Sequence, residues 1–321
     1  MNLEFITQGY YLSIIFEKFI EFIMTEKTLV IGGSGLLGHY LKQNLPDSDT
    51  YFTYNENKLN SEQTTFLDIT NEHNLEKIFE TVKPDVVFHT AAITNLDWCE
   101  NNERKTFAVN TNPINNIVAL AKTYNSKLIF VSTDSVFDGI DGNYVENDPL
   151  NPINIYSKSK IEAEKIVKNL DDSLIIRGTF FGIKKNKESF LSYLLKQLKN
   201  GKKIKVPEDK KSNGLFVNDF AKTLIEMNHK KLSGLFHIGS SDNINNFEFA
   251  KEIANIFGYE EDLIQNSLFQ DIFHEKNLVA KRPLNTTLNV NKISNIIKMP
   301  NVKQVINSFY ENTKQNYDFF Y

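Results

Sequence analysis

Thr28-Leu29-Val30-Ile31-Gly32-Gly33-Ser34-Gly35-Leu36-Leu37-Gly38 is the stretch whose reading decides the fold. Four apolar residues in a row suit a strand buried on both faces of a parallel sheet. The glycine run follows at once, and Tyr40 and Leu41 then fall in helical register. Strand, glycine turn and helix in that order give the glycines a meaning beyond a generic loop. Gly32 permits the tight turn, Gly35 lets a backbone approach a pyrophosphate, and Gly38 allows close helix–strand packing. The helix N-terminus then stabilises the anion. The spacing is Gly-x2-Gly-x2-Gly, not the commoner Gly-x-Gly-x2-Gly.

Outward from that unit, strands and helices alternate. Thr50 to Tyr54 reads as a second strand and Thr64 to Leu67 as strand-like. Asn71 to Val82 reads as a helix, and Asp85 to His89 as another buried strand. A single long helix is predicted from about Asn102 to Tyr124, followed by the strand Lys127 to Val131. The helix carrying Tyr156 buries Ala163, Ile166, Val167 and Leu170, and Leu174 to Ile176 forms the next strand. Repeated βα units imply an α/β fold, a doubly wound parallel sheet with helices on both faces. After Phe181 the rhythm changes. Lysine-rich stretches run from Lys184 to Lys187 and from Lys196 to Lys205, with an amphipathic helix predicted over Ser189 to Leu198. A strand over Gly234 to Ile238 and a helix over Asn246 to Phe257 precede a less regular tail. The expected division is a nucleotide-binding domain over residues 24–182 plus about 215–240, and a smaller C-terminal α/β lobe over about 183–214 plus 241–321.

The chain has 321 residues, 41% of them apolar, enough for a large core or two domains. With 36 basic against 40 acidic residues, the charge balance gives no electrostatic reason to expect nucleic acid. Cys99 is the only cysteine, so neither an intrachain disulfide nor a cysteine-based zinc site can form, and no metal is expected. A reduced, cytoplasmic compartment fits this composition. Residues 1–23 are rich in Ile, Phe and Tyr, but Glu4, Glu17, Lys18 and Glu21 interrupt them, so no membrane-spanning run is formed. A signal peptide would want a basic start, and this chain begins Met-Asn-Leu-Glu. An appendage or a misassigned start is expected there, with Met24 as the functional first residue. An intact-mass measurement of native protein beginning at Met1 would reject that.

The chemistry centres on Asn154-Ile155-Tyr156-Ser157-Lys158-Ser159-Lys160. Tyr156 and Lys160 are four apart and share one helical face. An ammonium beside a phenol is expected to lower its pKa, so that the pair passes a proton near neutral pH. Val131-Ser132-Thr133-Asp134 leaves a hydroxyl at a strand tip, Thr90-Ala91-Ala92 puts small residues where a cofactor would lie, and Arg177-Gly178-Thr179 closes the next strand. Ligands gather at such carboxyl ends.

Together, the glycine loop, Ala91-Ala92, Ser132-Thr133-Asp134 and Tyr156-x3-Lys160 resemble the extended short-chain dehydrogenase/reductases, whose fold is Rossmann-type. More narrowly, Ala91-Ala92-Ile93-Thr94-Asn95-Leu96-Asp97-Trp98-Cys99-Glu100 resembles the Ala-Ala-x-Thr-x-Val-Asp-x-x-Glu segment of dTDP-4-dehydrorhamnose reductases. Ser132 to Gly139, Pro149-Leu150-Asn151-Pro152 and Arg282-Pro283-x-Asn285-x2-Leu288 are similar as well. The resemblance implies roles. Thr133 would hold the substrate oxygen, Tyr156 would be the general acid, and Lys160 would tune it and bind the nicotinamide ribose. Gly32, Gly35 and Gly38 would carry the pyrophosphate, with Ser34, Leu36 and Leu37 also on the cofactor. Asp68 and Ile69 would meet the adenine, with Ala91, Ala92, Thr94 and Asn110 also on the cofactor. Thr133, Asp134, Phe180 and Arg282 would face the substrate. The implied activity is reduction, by NADPH or NADH, of the 4-keto group of a nucleotide-linked 4-keto-6-deoxysugar. A homodimer is compatible with the resemblance.

Ser135 stands where these reductases have tyrosine, and Phe180 where they often have tryptophan. No acid closes the second strand at Thr53-Tyr54-Asn55, which permits NADPH. Two other functions share the residues. One is an NAD-dependent sugar-nucleotide epimerase using the same Thr-Tyr-Lys set. The other is a non-catalytic regulatory subunit like that of methionine adenosyltransferases, which would not need to keep a proton donor. A 4,6-dehydratase would want Asp-Glu after the threonine, and Asp134-Ser135 supplies half of it. His89 and His237 are expected as hydrogen-bonded core residues and not as ligands.

Overall fold

Seven parallel strands form the central sheet in the order β7-β6-β5-β4-β1-β2-β3. They are β1 (Thr28–Ile31), β2 (Thr50–Tyr54), β3 (Thr64–Phe66), β4 (Val86–His89), β5 (Lys127–Val131), β6 (Ser173–Arg177) and β7 (Gly234–His237). The computed structural model describes residues 26–59, 63–183 and 189–314. The expected appendage, the Met24 start and the Lys184 to Lys187 run lie outside the described residues.

β1, β4, β5 and β6 are buried along their whole length. That explains why they read as unbroken apolar runs: both faces are covered by helices, so neither can be polar. Successive residues of β1 feed opposite layers. Val30 joins a core with α1 (Leu36–Asn44), α7 (Phe190–Lys199), α8 (Val217–His229), α9 (Asn246–Phe257) and α10 (Val302–Lys314). Leu29 and Ile31 join the other core with α2 (Glu72–Val82), α5 (Pro113–Tyr124) and α6 (Ile155–Val167). The doubly wound sheet expected from the sequence is present. Strand order reverses between β1 and β4, and a crevice opens there, beyond the strands' carboxyl ends.

The single long helix expected over Asn102 to Tyr124 is not formed. The chain makes α3 (Leu96–Asn101), α4 (Glu103–Asn110) and then α5, broken at Thr111-Asn112. Pro113 takes the first helical position, where its missing N–H is no loss and its fixed φ starts a new helix. Outside the sheet, short strand pairs join distant segments. Ile204–Pro207 pairs with Ile264–Ser267, and Lys211–Ser212 with Ile244–Asn245. One core cluster runs without interruption from Val30 through Leu194 and Phe220 to Phe309, so these segments pack directly on the sheet.

Candidate active site

The β1 glycine loop and the Thr90-Ala91-Ala92 turn meet across the switch point. Gly32 has φ +94°, and a Cβ there would lie 2.7 Å from the Ala91 nitrogen. A Cβ on Gly38 would lie 2.4 Å from the Gly32 carbonyl, so any other residue would push α1 off the loop. Thr53, buried at the tip of β2, accepts the Gly32 N–H (3.1 Å) and fixes the loop from the side. A cleft of about 500 Å³ opens along this line, walled by Gly32, Ser34, Gly35, Asp68, Ile69, Ala91 and Ala92. Not every expected cofactor residue faces it. Leu37 is in the core and Thr94 is exposed after the strand, away from the cleft wall. Asn110 lies behind the cleft. Its amide accepts from Ile93 N–H (2.8 Å) and donates to the Ile93 carbonyl (3.0 Å) and Ser159 Oγ (3.1 Å). It ties the turn after β4 to α6.

α6 carries Tyr156 and Lys160, and its first turn is held from three directions. Asn154 caps it by accepting the Ser157 N–H (2.9 Å) and donates to the Lys281 carbonyl (3.0 Å). Glu100 accepts the Ile155 N–H (3.0 Å). Half-buried Tyr156 is close enough to the Thr133 hydroxyl for its pKa to feel it, and Lys160 lies one turn further along α6. The phenol does not have the lowered pKa expected of it. Burial dominates and pushes it up, the nearby Thr133 hydroxyl lowers it, and the Asp134 charge raises it again. Lys160 is 2% exposed, with its ammonium 4.1 Å from the centre of the Phe130 ring. Burial lowers its pKa to about 7 against the raising charge of Glu164.

Glu164 is one turn beyond Lys160 and was missed in the sequence, although its i+4 spacing puts it on the same face. It pairs with Arg177 (2.7 Å), both side chains 1% exposed, and accepts from Ser132 Oγ (2.5 Å). This buried network fastens α6 to the tips of β5 and β6. His89 and His237 are both buried, and burial lowers each to about 3, with a nearby cation adding to the effect. His237 Nδ1 donates to the Tyr144 carbonyl (3.0 Å), as a core histidine should. His89 departs from that expectation, since neither ring nitrogen has a hydrogen-bond partner among the described residues.

Buried Asp134 accepts hydrogen bonds from the Thr133 hydroxyl (3.2 Å) and the Ser135 hydroxyl (3.2 Å). Burial raises its carboxyl pKa and the charge of Lys210 opposes that. Arg282 is engaged within the chain. It forks onto Asp97 at 2.6 and 3.2 Å and also donates to the Ala280 carbonyl (2.7 Å). Asp97 receives the Val279 and Ala280 N–H groups as well, and Arg282 holds its carboxyl down at about 2. Phe180 packs on Phe220, ring centres 4.9 Å apart, and lines a separate hollow of about 140 Å³ with Phe181, Phe190 and Phe249. Among the described residues no group of His, Cys, Asp or Glu is arranged to hold a metal, and no helix is long and apolar enough to cross a membrane.

The family model described as the RmlD substrate binding domain matches residues 26–315. The chain belongs to this family. A dTDP-4-dehydrorhamnose reductase of Aggregatibacter actinomycetemcomitans is 28% identical over 275 residues, covering 83% of this chain and 92% of that protein. The methionine adenosyltransferase 2 subunit beta of Rattus norvegicus is 25% identical over 286 residues, covering 85% and 83%. The crystal structure of a dTDP-4-dehydrorhamnose reductase from Bacillus anthracis in complex with NADP has a TM-score of 0.80. It is 25% identical and covers 90% of this chain and all of that one.

Proposed function

We propose that this chain is an NAD(P)H-dependent reductase of a keto group on a nucleotide-linked sugar, of the 4-keto-6-deoxysugar type, serving glycan biosynthesis. The observation that carries the reading is the glycine-loop cleft at the β1–β4 switch point, with Thr133 just beyond the tip of β5 and Tyr156 and Lys160 one turn apart on α6. The residues fit a dinucleotide. Gly35 caps α1 with nothing but the Gly32 carbonyl near its missing Cβ, at 3.1 Å, so the helix N-terminus is open to a pyrophosphate. When bound, the reduced nicotinamide supplies the hydride.

Everything else is the chain's own work. Thr133 and Tyr156 hold the carbonyl oxygen between two hydroxyls. Tyr156, kept protonated by burial, is in the form a proton donor needs. As its proton leaves, Lys160 on the same face of α6 supplies the positive charge that stabilises the phenolate. The Ser132–Glu164–Arg177 network and the Asn110 clamp keep α6 in register with both strand tips. Asp134 and Phe180, just beyond the ends of β5 and β6, would face the sugar nucleotide. Arg282 serves it indirectly, by holding the Val279 to Arg282 segment against Asp97.

The rat subunit beta favours a second reading, a protein that binds a methionine adenosyltransferase-like catalytic partner. The intact Thr133, Tyr156 and Lys160 favour the enzyme, because a partner-binding role puts no demand on a proton donor. The test is incubation with reduced nicotinamide cofactor and a panel of nucleotide-linked 4-keto-6-deoxysugars, following loss of absorbance. Oxidation is expected with at least one, and Tyr156→Phe should abolish it while leaving cofactor affinity nearly unchanged. No oxidation with any sugar, or full activity in Tyr156→Phe, would overturn the reading. Conversion of a hexose nucleotide without net cofactor turnover would identify an epimerase instead.

A further inference from the structure

We propose that the adenosine end of the cleft is built for a free ribose 2′-hydroxyl, with Glu56 as the discriminating residue, so that NADH binds in preference to NADPH. β2 ends at Tyr54 without an acid, but the chain beyond it does not leave the site. Asn55, Glu56 and Asn57 continue along the same cleft wall as Gly32, Gly35 and Asp68. Glu56 lies 21 residues after Gly35, the separation at which a carboxylate in this kind of unit takes the ribose hydroxyls. The acid missing from the strand tip is thus supplied two residues later by the loop.

The charges around it point the same way. Accommodating a 2′-phosphate calls for an arginine or lysine. None is among the described residues that line the cleft. From Gly32 to Leu41 the chain has no Lys or Arg, and from Thr50 to Thr70 its only basic residue is Lys58. Asp68, the other acid on this wall, is committed to its own turn. Its Oδ1 accepts both the N–H (2.9 Å) and the hydroxyl (2.7 Å) of Thr70. Glu56 is the exposed acid on this wall, placed to accept from a ribose hydroxyl and to repel a phosphate dianion. Because it is exposed, the repulsion is screened by salt. A preference on the order of tenfold is therefore expected, not an absolute exclusion.

This rests on the nicotinamide reading above, and direct binding separates the two. Calorimetric titration of the full chain with NADH and with NADPH, at low and high salt, should give about tenfold tighter binding of NADH, narrowing as salt rises. Glu56→Gln should narrow the ratio by strengthening NADPH, and Glu56→Arg should reverse it. Equal or tighter NADPH binding to the unaltered chain, or a ratio unmoved in Glu56→Gln, overturns the proposal alone. Failure of both cofactors to bind overturns it together with the nicotinamide reading.

Discussion

Replacing Lys160 with methionine should remove turnover and yet stabilise the fold. The side chain is almost fully buried and its pKa falls from 10.5 to about 7, so folding must pull a proton off it or carry its charge into a dry site. At about 1.4 kcal/mol per pKa unit, the fall corresponds to an upper bound of about 4 kcal/mol at pH 7, where the folded group is half protonated. Methionine has a similar reach and carries no charge, but it loses the contact of the ammonium with the Phe130 ring. A net gain of about 2 kcal/mol, or roughly 3 °C in Tm, is the expectation. The sign with pH follows from linkage. Between about pH 7 and 10.5 the unfolded chain holds this proton and the folded chain does not, so the native protein gains stability as pH rises through that window. The advantage of Lys160→Met should therefore be largest at pH 7 and below and shrink toward pH 10. Thermal unfolding followed by circular dichroism from pH 6.5 to 10 measures it. A variant less stable at pH 7, or an advantage that grows with pH, would refute the account of Lys160 as a costly group kept for chemistry.

Glu164→Gln strands the Arg177 guanidinium and should destabilise the chain by about 3–5 kcal/mol, read as a fall in the urea midpoint. Asp97→Asn should loosen the Val279 to Arg282 segment, raising the sugar-nucleotide KM more than it lowers kcat. Asp97 also carries a pH signature. Its depressed pKa stabilises the fold above the ordinary carboxylate value near 3.8, and that contribution is lost as pH falls toward about 2, a loss that Asp97→Asn should abolish in acid titration.

Much of the site was legible because it rests on local rules. A glycine turn between a buried strand and a helix, and a tyrosine four residues before a lysine, are patterns of spacing, and backbone geometry converts spacing into position without help from distant residues. What the sequence misjudged had two sources, a proline read through as helix and contacts between distant residues. The apolar pattern of Ile114, Ile117, Val118 and Ala121 ran on behind Asn110, so the break at Pro113 was hidden, although it is this break that turns Asn110 and Thr111 toward Ser159.

By itself, the sequence determined the alternation of strands and helices, the glycine loop and the composition of the proton-transfer set. Only the tertiary structure decided that Arg282 closes on Asp97, 185 residues away, and that Ser132, Glu164 and Arg177 form one buried network. It also decided that Tyr156 is pushed up and not down. The physical reason is common to all three. Which charges pair and how far a group is desolvated depend on everything packed around it, and no period in the chain encodes that sum.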